Sequence, residues 1–180
     1  MAAEALRKGG YAAPVVSIGS TPTATYTTGL EGVTDVRAGV FVFFDLVMAG
    51  IDVCRQYDIA LSVLATVIDR RADKGWILID AGWMARSRDR GTARQRVDQG
   101  YGLVCDIDGR PIADLLVTET NQEHGIVARR GGGAAPELAV GTRVRILPNH
   151  ACATGAQHDR YNVVDGGRDI AATWSRFSGW

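Results

Sequence analysis

The chain has 180 residues, is 46% hydrophobic, and balances 20 basic against 20 acidic residues for a formal charge of zero. That balance excludes the electrostatic footprint of a nucleic-acid-binding or anionic-membrane-binding protein, and the length allows one domain or two small ones. No apolar run reaches the roughly 20 residues that span a bilayer, "MAAEALRKGG" lacks the apolar centre of a secretory signal, and three cysteines make a disulfide framework improbable, so a cytoplasmic protein is expected.

In chain order, residues 1–8 are strong helix formers stopped by Gly9-Gly10. "APVVS" reads as a short buried strand. In "IGSTPT", Thr21-Pro22 has the form of an N-cap with proline at the first helical position. "DVRAGVFVFFD" reads as a second apolar strand, with "FVFF" as barrel core. Strand, glycine turn, short helix, strand is the unit of a parallel α/β structure.

Beyond Asp58 the pattern changes. "IALSVLATVID" and "WILIDAG", joined by the turn "RADKG", predict a hairpin. "WMARSRDRGTARQRVDQG" is a polar excursion in which Arg86, Arg88, Arg90, Arg94 and Arg96 form a solvated face with Asp89 and Asp98 interleaved. "YGLVCDI", "IADLLVTE", "HGIVAR", "TRVRIL", "YNVV" and "DIAATW" are six further short strands between turn signals, which predicts a small antiparallel barrel or sandwich. The expected class is α+β, mainly β, with residues 1–55 as the last β-α-β portion of a (β/α)8 barrel and residues 56–180 as the antiparallel β domain. A (β/α)8 barrel needs about 250 residues, so the front of that barrel is expected to precede Met1.

Two places could carry chemistry. His150 and Cys152 stand two apart behind "TRVRIL"; in an extended strand they would project to one face and could share a zinc ion, leaving room for water and substrate. The residues alone leave the alternative open, in which His150 hydrogen-bonds at a strand end and Cys152 is buried as a small hydrophobe. His158 is a further candidate ligand, or part of a surface turn. The backbone N–H groups of Gly19, Ser20 and Thr21, between a strand and a helix, could cradle a phosphate. Glu123 and His124 could act as acid or base, or only start a strand, and the Asp80 carboxylate caps the loop behind it.

Taken in order, "SIGSTPT", "DVRAGVFVFFD", "LSVLATVIDR", "LIDAG…SRDRG", "EHG", "VGTRVRILPNHACAT" and "HDRYNVV" resemble the D-serine dehydratase / D-threonine aldolase-like family, pyridoxal-phosphate enzymes of the alanine-racemase fold type. "PNHACAT" followed by "HDRY" is the most specific element. The resemblance implies a (β/α)8 barrel followed by an antiparallel β domain. It further implies a divalent metal, zinc preferred, on His150 and Cys152, and pyridoxal 5'-phosphate held by its phosphate at Gly19, Ser20 and Thr21. It implies a lyase for a β-hydroxy D-amino acid, homodimeric when intact. The order "HAC", where the aldolases tend to show "HCD", favours D-serine dehydration over D-threonine-type cleavage.

Two features depart from the family pattern. The lysine that anchors the cofactor lies near the start of the family's barrel, and neither lysine of this chain, Lys8 or Lys74, matches it. Phe41 and Phe44 also stand where the last barrel strand often carries a tyrosine or asparagine. Catalysis is therefore expected of the parent enzyme and not of these 180 residues alone. The competing readings are a non-catalytic β module that binds metal or a partner, and one half of a complementing pair.

Overall fold

A computed structural model describes residues 2–177. It divides into two compact units, residues 1–42 and 43–180. None of its helices, among the described residues, is long and apolar enough to cross a membrane.

In the first unit, α1 (Ala2–Lys8) ends as expected at Gly9 and Gly10, where Gly9 N–H donates to the Ala5 carbonyl and Gly10 adopts φ 88°. Strand β1 (Ser17–Gly19), helix α2 (Thr21–Tyr26) and strand β2 (Asp35–Arg37) form the predicted β-α-β unit, with β1 parallel to β2. Three details differ from expectation. Ser20, not Thr21, is the N-cap: its hydroxyl accepts from Thr23 N–H, and Pro22 sits one residue deeper. "APVVS" is not a buried strand, since Val15 is 68% exposed and β1 begins only at Ser17. "FVFF" is not a strand: Val40–Val42 is a 3-10 turn with Phe41 and Val42 exposed, and only Phe44, which falls in the second unit, packs against a core cluster, the one around Leu46. For Val15 and Phe41 the reason is shared, because a two-stranded sheet is too small to cover a run of apolar residues.

The second unit contains α3 (Leu46–Gly50), β3 (Val63–Arg71), β4 (Trp76–Ile79), β5 (Leu103–Cys105), β6 (Pro111–Thr120), β7 (Gly125–Arg129), β8 (Arg143–Leu147), α4 (Ala151–Gly155), β9 (Arg160–Val163) and β10 (Ala172–Ser175). Every strand predicted beyond Asp58 is present. Six of them close a barrel in the order β3-β4-β7-β6-β5-β8, all neighbours antiparallel, while β9 and β10 pair as a separate ribbon.

Alternation explains the barrel. Val63, Ala65 and Val67 on β3, Ile77 and Ile79 on β4, Val127 on β7, and Val144 and Ile146 on β8 point to one buried interior with Val104, Leu115 and Val117. Along one wall the opposite face is covered too. Leu103, Cys105, Leu116 and Leu147 form a second buried cluster with Leu46 and Ile59, so α3 and the segment behind it pack outside β5, β6 and β8. Strands buried on both faces read as continuous apolar runs, as "LVC" and "LLV" do.

Close packing leaves two consequences. A Cβ at Gly125 would lie 2.8 Å from the Ala81 carbonyl oxygen and 2.9 Å from Ile79 Cγ1 and the Arg86 guanidinium. Gly125→Ala should therefore lower stability by about 1–3 kcal/mol in urea denaturation, the usual cost of overpacking. Burial, reinforced by the neighbouring Asp106 charge, pushes the Cys105 thiol up to about 12 from 9.0. A group that holds its proton more tightly when folded stabilises fully below pH 9 and loses that contribution as pH rises towards 12. Native protein should lose stability more steeply above pH 9 than Cys105→Ala; parallel pH curves would contradict this.

Candidate metal centre

Proline 148 stops β8, because it offers no N–H to continue the ladder. Its carbonyl accepts from Leu46 N–H at 3.0 Å. Asn149 follows, only 2% exposed, and its side chain is fully engaged. The amide nitrogen donates to the Asp89 carbonyl at 2.9 Å and the Gly100 carbonyl at 2.7 Å, and the amide oxygen accepts from the Thr92 hydroxyl at 3.2 Å. Asn149 thus ties the end of β8 to three residues of the excursion between β4 and β5.

Helix α4 is then fixed along its length. Ala151 N–H donates to Asp45 Oδ2 at 3.0 Å, while Asp45 Oδ1 caps α3 through Met48 N–H. One buried carboxylate, 2% exposed, therefore holds two helix starts. Ser87 N–H donates to the Thr154 hydroxyl at 3.2 Å. At Gly155 an added Cβ would lie 2.8 Å from the Tyr161 hydroxyl, so the "HDRY" turn packs directly on the last residue of the helix.

His150 is the N-cap residue of α4, with extended backbone (φ −136°, ψ 102°) and no capping hydrogen bond from its side chain. Cys152 is the second helical residue. The expectation that both sit on an extended strand is overturned: the strand ends at Leu147, and Thr154 N–H and Ala156 N–H already make helical bonds to the His150 and Cys152 carbonyls. The alternative expectation, a buried thiol, also fails, since Cys152 is exposed; the His150 side chain is 47% exposed.

The His150 ring is oriented from the excursion. Its Nδ1 meets Asp89 Oδ2, and Asp89 N–H in turn donates to the Ser87 hydroxyl at 2.9 Å. The Asp89 carboxyl is held below its ordinary range, first by the His150 contact and then by Ser87. Nε2 remains for another partner. Among the described residues no group of three or more His, Cys, Asp or Glu is arranged to hold a metal ion. The donor set nonetheless fits a divalent metal with an imidazole nitrogen, a sulfur and open positions, which suits zinc.

Other candidate residues lie apart from this pair. His158 is half-buried, and its Nε2 hydrogen-bonds to the Ala85 carbonyl at 2.9 Å, which is a structural tie. Glu123 and His124 are exposed in the β6–β7 turn, where the His124 carbonyl accepts from Asn121 N–H and Glu123 accepts from Gln122. Asp80, Glu123 and His158 line one open cleft of about 270 Å³, and neither His150 nor Cys152 is among its walls. The Asp80 carboxylate does not cap a loop; it accepts from Thr66 N–H of β3 at 2.6 Å.

The arginine-rich stretch is a solvated face in all but one member. Arg88, Arg90, Arg94 and Arg96 are exposed, and Arg90 pairs with Asp98 at 2.5 Å. Arg86 is the correction, being 1% exposed. It donates to the Ala81 carbonyl at 3.2 Å and the Tyr101 carbonyl at 2.8 Å, leaving one terminal nitrogen unpaired. Its side chain pins both ends of the excursion that presents Asp89, a role that side-chain type and spacing could not reveal.

In the first unit, Gly19, Ser20 and Thr21 form the turn from β1 into α2. Ser20 lies at φ 127°, ψ 152°, a region almost reserved for glycine. Its N–H already donates to the Arg37 carbonyl at 2.9 Å, which removes it from the expected set of phosphate donors. The Arg37 guanidinium lies within 3.1 Å of where a Gly19 Cβ would stand, which places a positive charge over the turn. That charge is shared with the Asp35 carboxylate, 3.8 Å from Arg37 Nε, and the Arg37 side chain fills the space a side chain at Gly19 would take.

The chain is 60% identical over 183 residues to D-threo-3-hydroxyaspartate dehydratase of Delftia sp. (strain HT23), covering 99% of this chain and 48% of that protein. It is 27% identical to D-serine dehydratase of Dictyostelium discoideum over 97% of this chain and 45% of that one. The solved structure of the Delftia enzyme superposes with a TM-score of 0.89, over 99% of this chain and 48% of its own. The same enzyme has been solved as a histidine-to-alanine mutant and, two positions further on, as a cysteine-to-alanine mutant in the metal-free form. The chain spans about half the length of the curated relatives it matches. The model described as "Putative serine dehydratase domain" matches residues 60–164, more than half of the chain, and the protein belongs to that family.

Proposed function

We propose that this chain is part of a pyridoxal-phosphate- and metal-dependent lyase that dehydrates a β-hydroxy D-amino acid, with His150 and Cys152 as the metal's protein ligands. The observation that carries the reading is the pairing of an exposed thiol with a histidine whose Nδ1 is already engaged by Asp89. The spacing of these two residues equals that of the histidine and cysteine mutated in the Delftia dehydratase, whose cysteine mutant was solved in the metal-free form.

When bound, the metal would supply Lewis acidity at the substrate's β-hydroxyl and the cofactor an electron sink for its α carbon. The chain's own contribution is positional. Asn149, Asp45 and Thr154 fix the start and end of α4, so His150 and Cys152 are presented from rigid backbone. The turn at Gly19 and Thr21, with Arg37 above it, would hold the cofactor phosphate. The strained Ser20 supports that reading, because such backbone persists where the surroundings over-determine it. The division proposed for the parent is residues 1–55 as the end of a (β/α)8 barrel and 56–180 as the β domain.

On the side of substrate, 60% identity to a hydroxyaspartate dehydratase against 27% to a D-serine dehydratase moves the preference from D-serine to D-threo-3-hydroxyaspartate. Zinc stoichiometry tests the metal ligands. The native chain should bind about one equivalent, and His150→Ala and Cys152→Ser should each lose most of it. Because a thiol must lose its proton and an imidazole must be neutral to bind, occupancy should fall as pH is lowered. Full retention of zinc in both variants would refute the assignment.

A further inference from the structure

Building on the metal reading above, we infer that Asp89 is the positioning residue of this centre: its carboxylate fixes the His150 ring and tautomer so that Nε2 faces the metal with a free lone pair. A carboxylate can only accept, so the ring atom that meets it, Nδ1, must carry the proton. In the neutral ring the lone pair then belongs to Nε2. Without such a partner the imidazole is free to rotate and to exchange tautomers.

The second observation is how Asp89 itself is held. Its N–H donates to the Ser87 hydroxyl, and its carbonyl accepts from the buried Asn149 side chain, the residue that directly precedes His150. Ser87 is itself tied to α4 through Thr154. Both peptide groups flanking Asp89 are therefore anchored to the segment that carries the ligands, one directly and one through Ser87, which holds the Asp89 backbone beside the ring. Folding does not explain this construction. The Asp89 and His150 side chains are 49% and 47% exposed, and exposed ion pairs of this kind add little to stability. What such an arrangement does well is orient a ligand, and carboxylate–histidine–metal relays typically change metal affinity by about 10- to 100-fold.

The test uses the full chain, zinc as the probe and a competing chromogenic chelator. Asp89→Ala should weaken zinc about 10- to 100-fold with an unchanged melting temperature. Long-range proton–nitrogen spectra of the metal-free protein should show the Nδ1–H tautomer of His150 in the native chain and its loss in Asp89→Ala. Asp89→Asn, whose amide oxygen can still accept, should keep the tautomer and lie between the two in affinity. It also supplies the measurement if the alanine variant does not fold. Native affinity and tautomer in Asp89→Ala, with zinc lost in His150→Ala, would overturn the positioning role and leave the metal centre standing. Native affinity in His150→Ala would remove the centre and the inference together.

Discussion

The Asn149 side chain is the constraint from which the candidate centre follows. It sits where β8 has just been ended by Pro148, is buried, and uses both amide hydrogens and its carbonyl on partners from the 81–102 excursion. A buried amide with these bonds satisfied is specific in a way that apolar packing is not, because misplacing it by an ångström leaves several polar groups unpaired at once. The next residues, His150 and Cys152, inherit that precision. So does Asp89, whose carbonyl is one of the three partners.

The barrel makes this possible by being rigid on the correct side. The wall formed by β5, β6 and β8 is covered on both faces, inside by Val104, Leu115, Val117 and Ile146, and outside by the cluster around Leu46 and Cys105. Helix α3 is part of that outer cover, and its cap residue Asp45 reaches across to the first N–H of α4. Core packing and site geometry therefore share one residue. Arg86 plays the corresponding part in the excursion, held by carbonyls at its two ends. Its burial lowers its pKa, the expected penalty for a charge without a carboxylate partner, and one guanidinium nitrogen stays unpaired.

Much of this fold was legible from sequence, and the reason is local. Each strand beyond Asp58 has period-two alternation or a short apolar run, bounded by turn residues, and each is found. What was not legible depends on contacts distant in sequence. Arg86, Arg88, Arg90, Arg94 and Arg96 read alike in sequence, and nothing in the neighbours of Arg86 distinguishes the one that is buried from those that are solvated. The strand reading of His150 and Cys152 carried the alternation of "TRVRIL" past Pro148, where alanine-rich "ACATG" closes a helical turn instead. In the first unit "APVVS" and "DVRAGVFVFFD" read as apolar strands, whereas Val15 and Phe41 are exposed and only Ser17–Gly19 and Asp35–Arg37 pair. The residue types of the proposed ligands were readable; the carboxylate that meets His150 from 61 positions away was not.

The central claim is that one imidazole and one sulfur of this chain bind the same metal ion, and X-ray absorption at the zinc edge of the zinc-loaded chain tests it most directly. The account predicts a single sulfur at about 2.3 Å with nitrogen and oxygen neighbours at about 2.0–2.1 Å. A first shell of nitrogen and oxygen alone would contradict it.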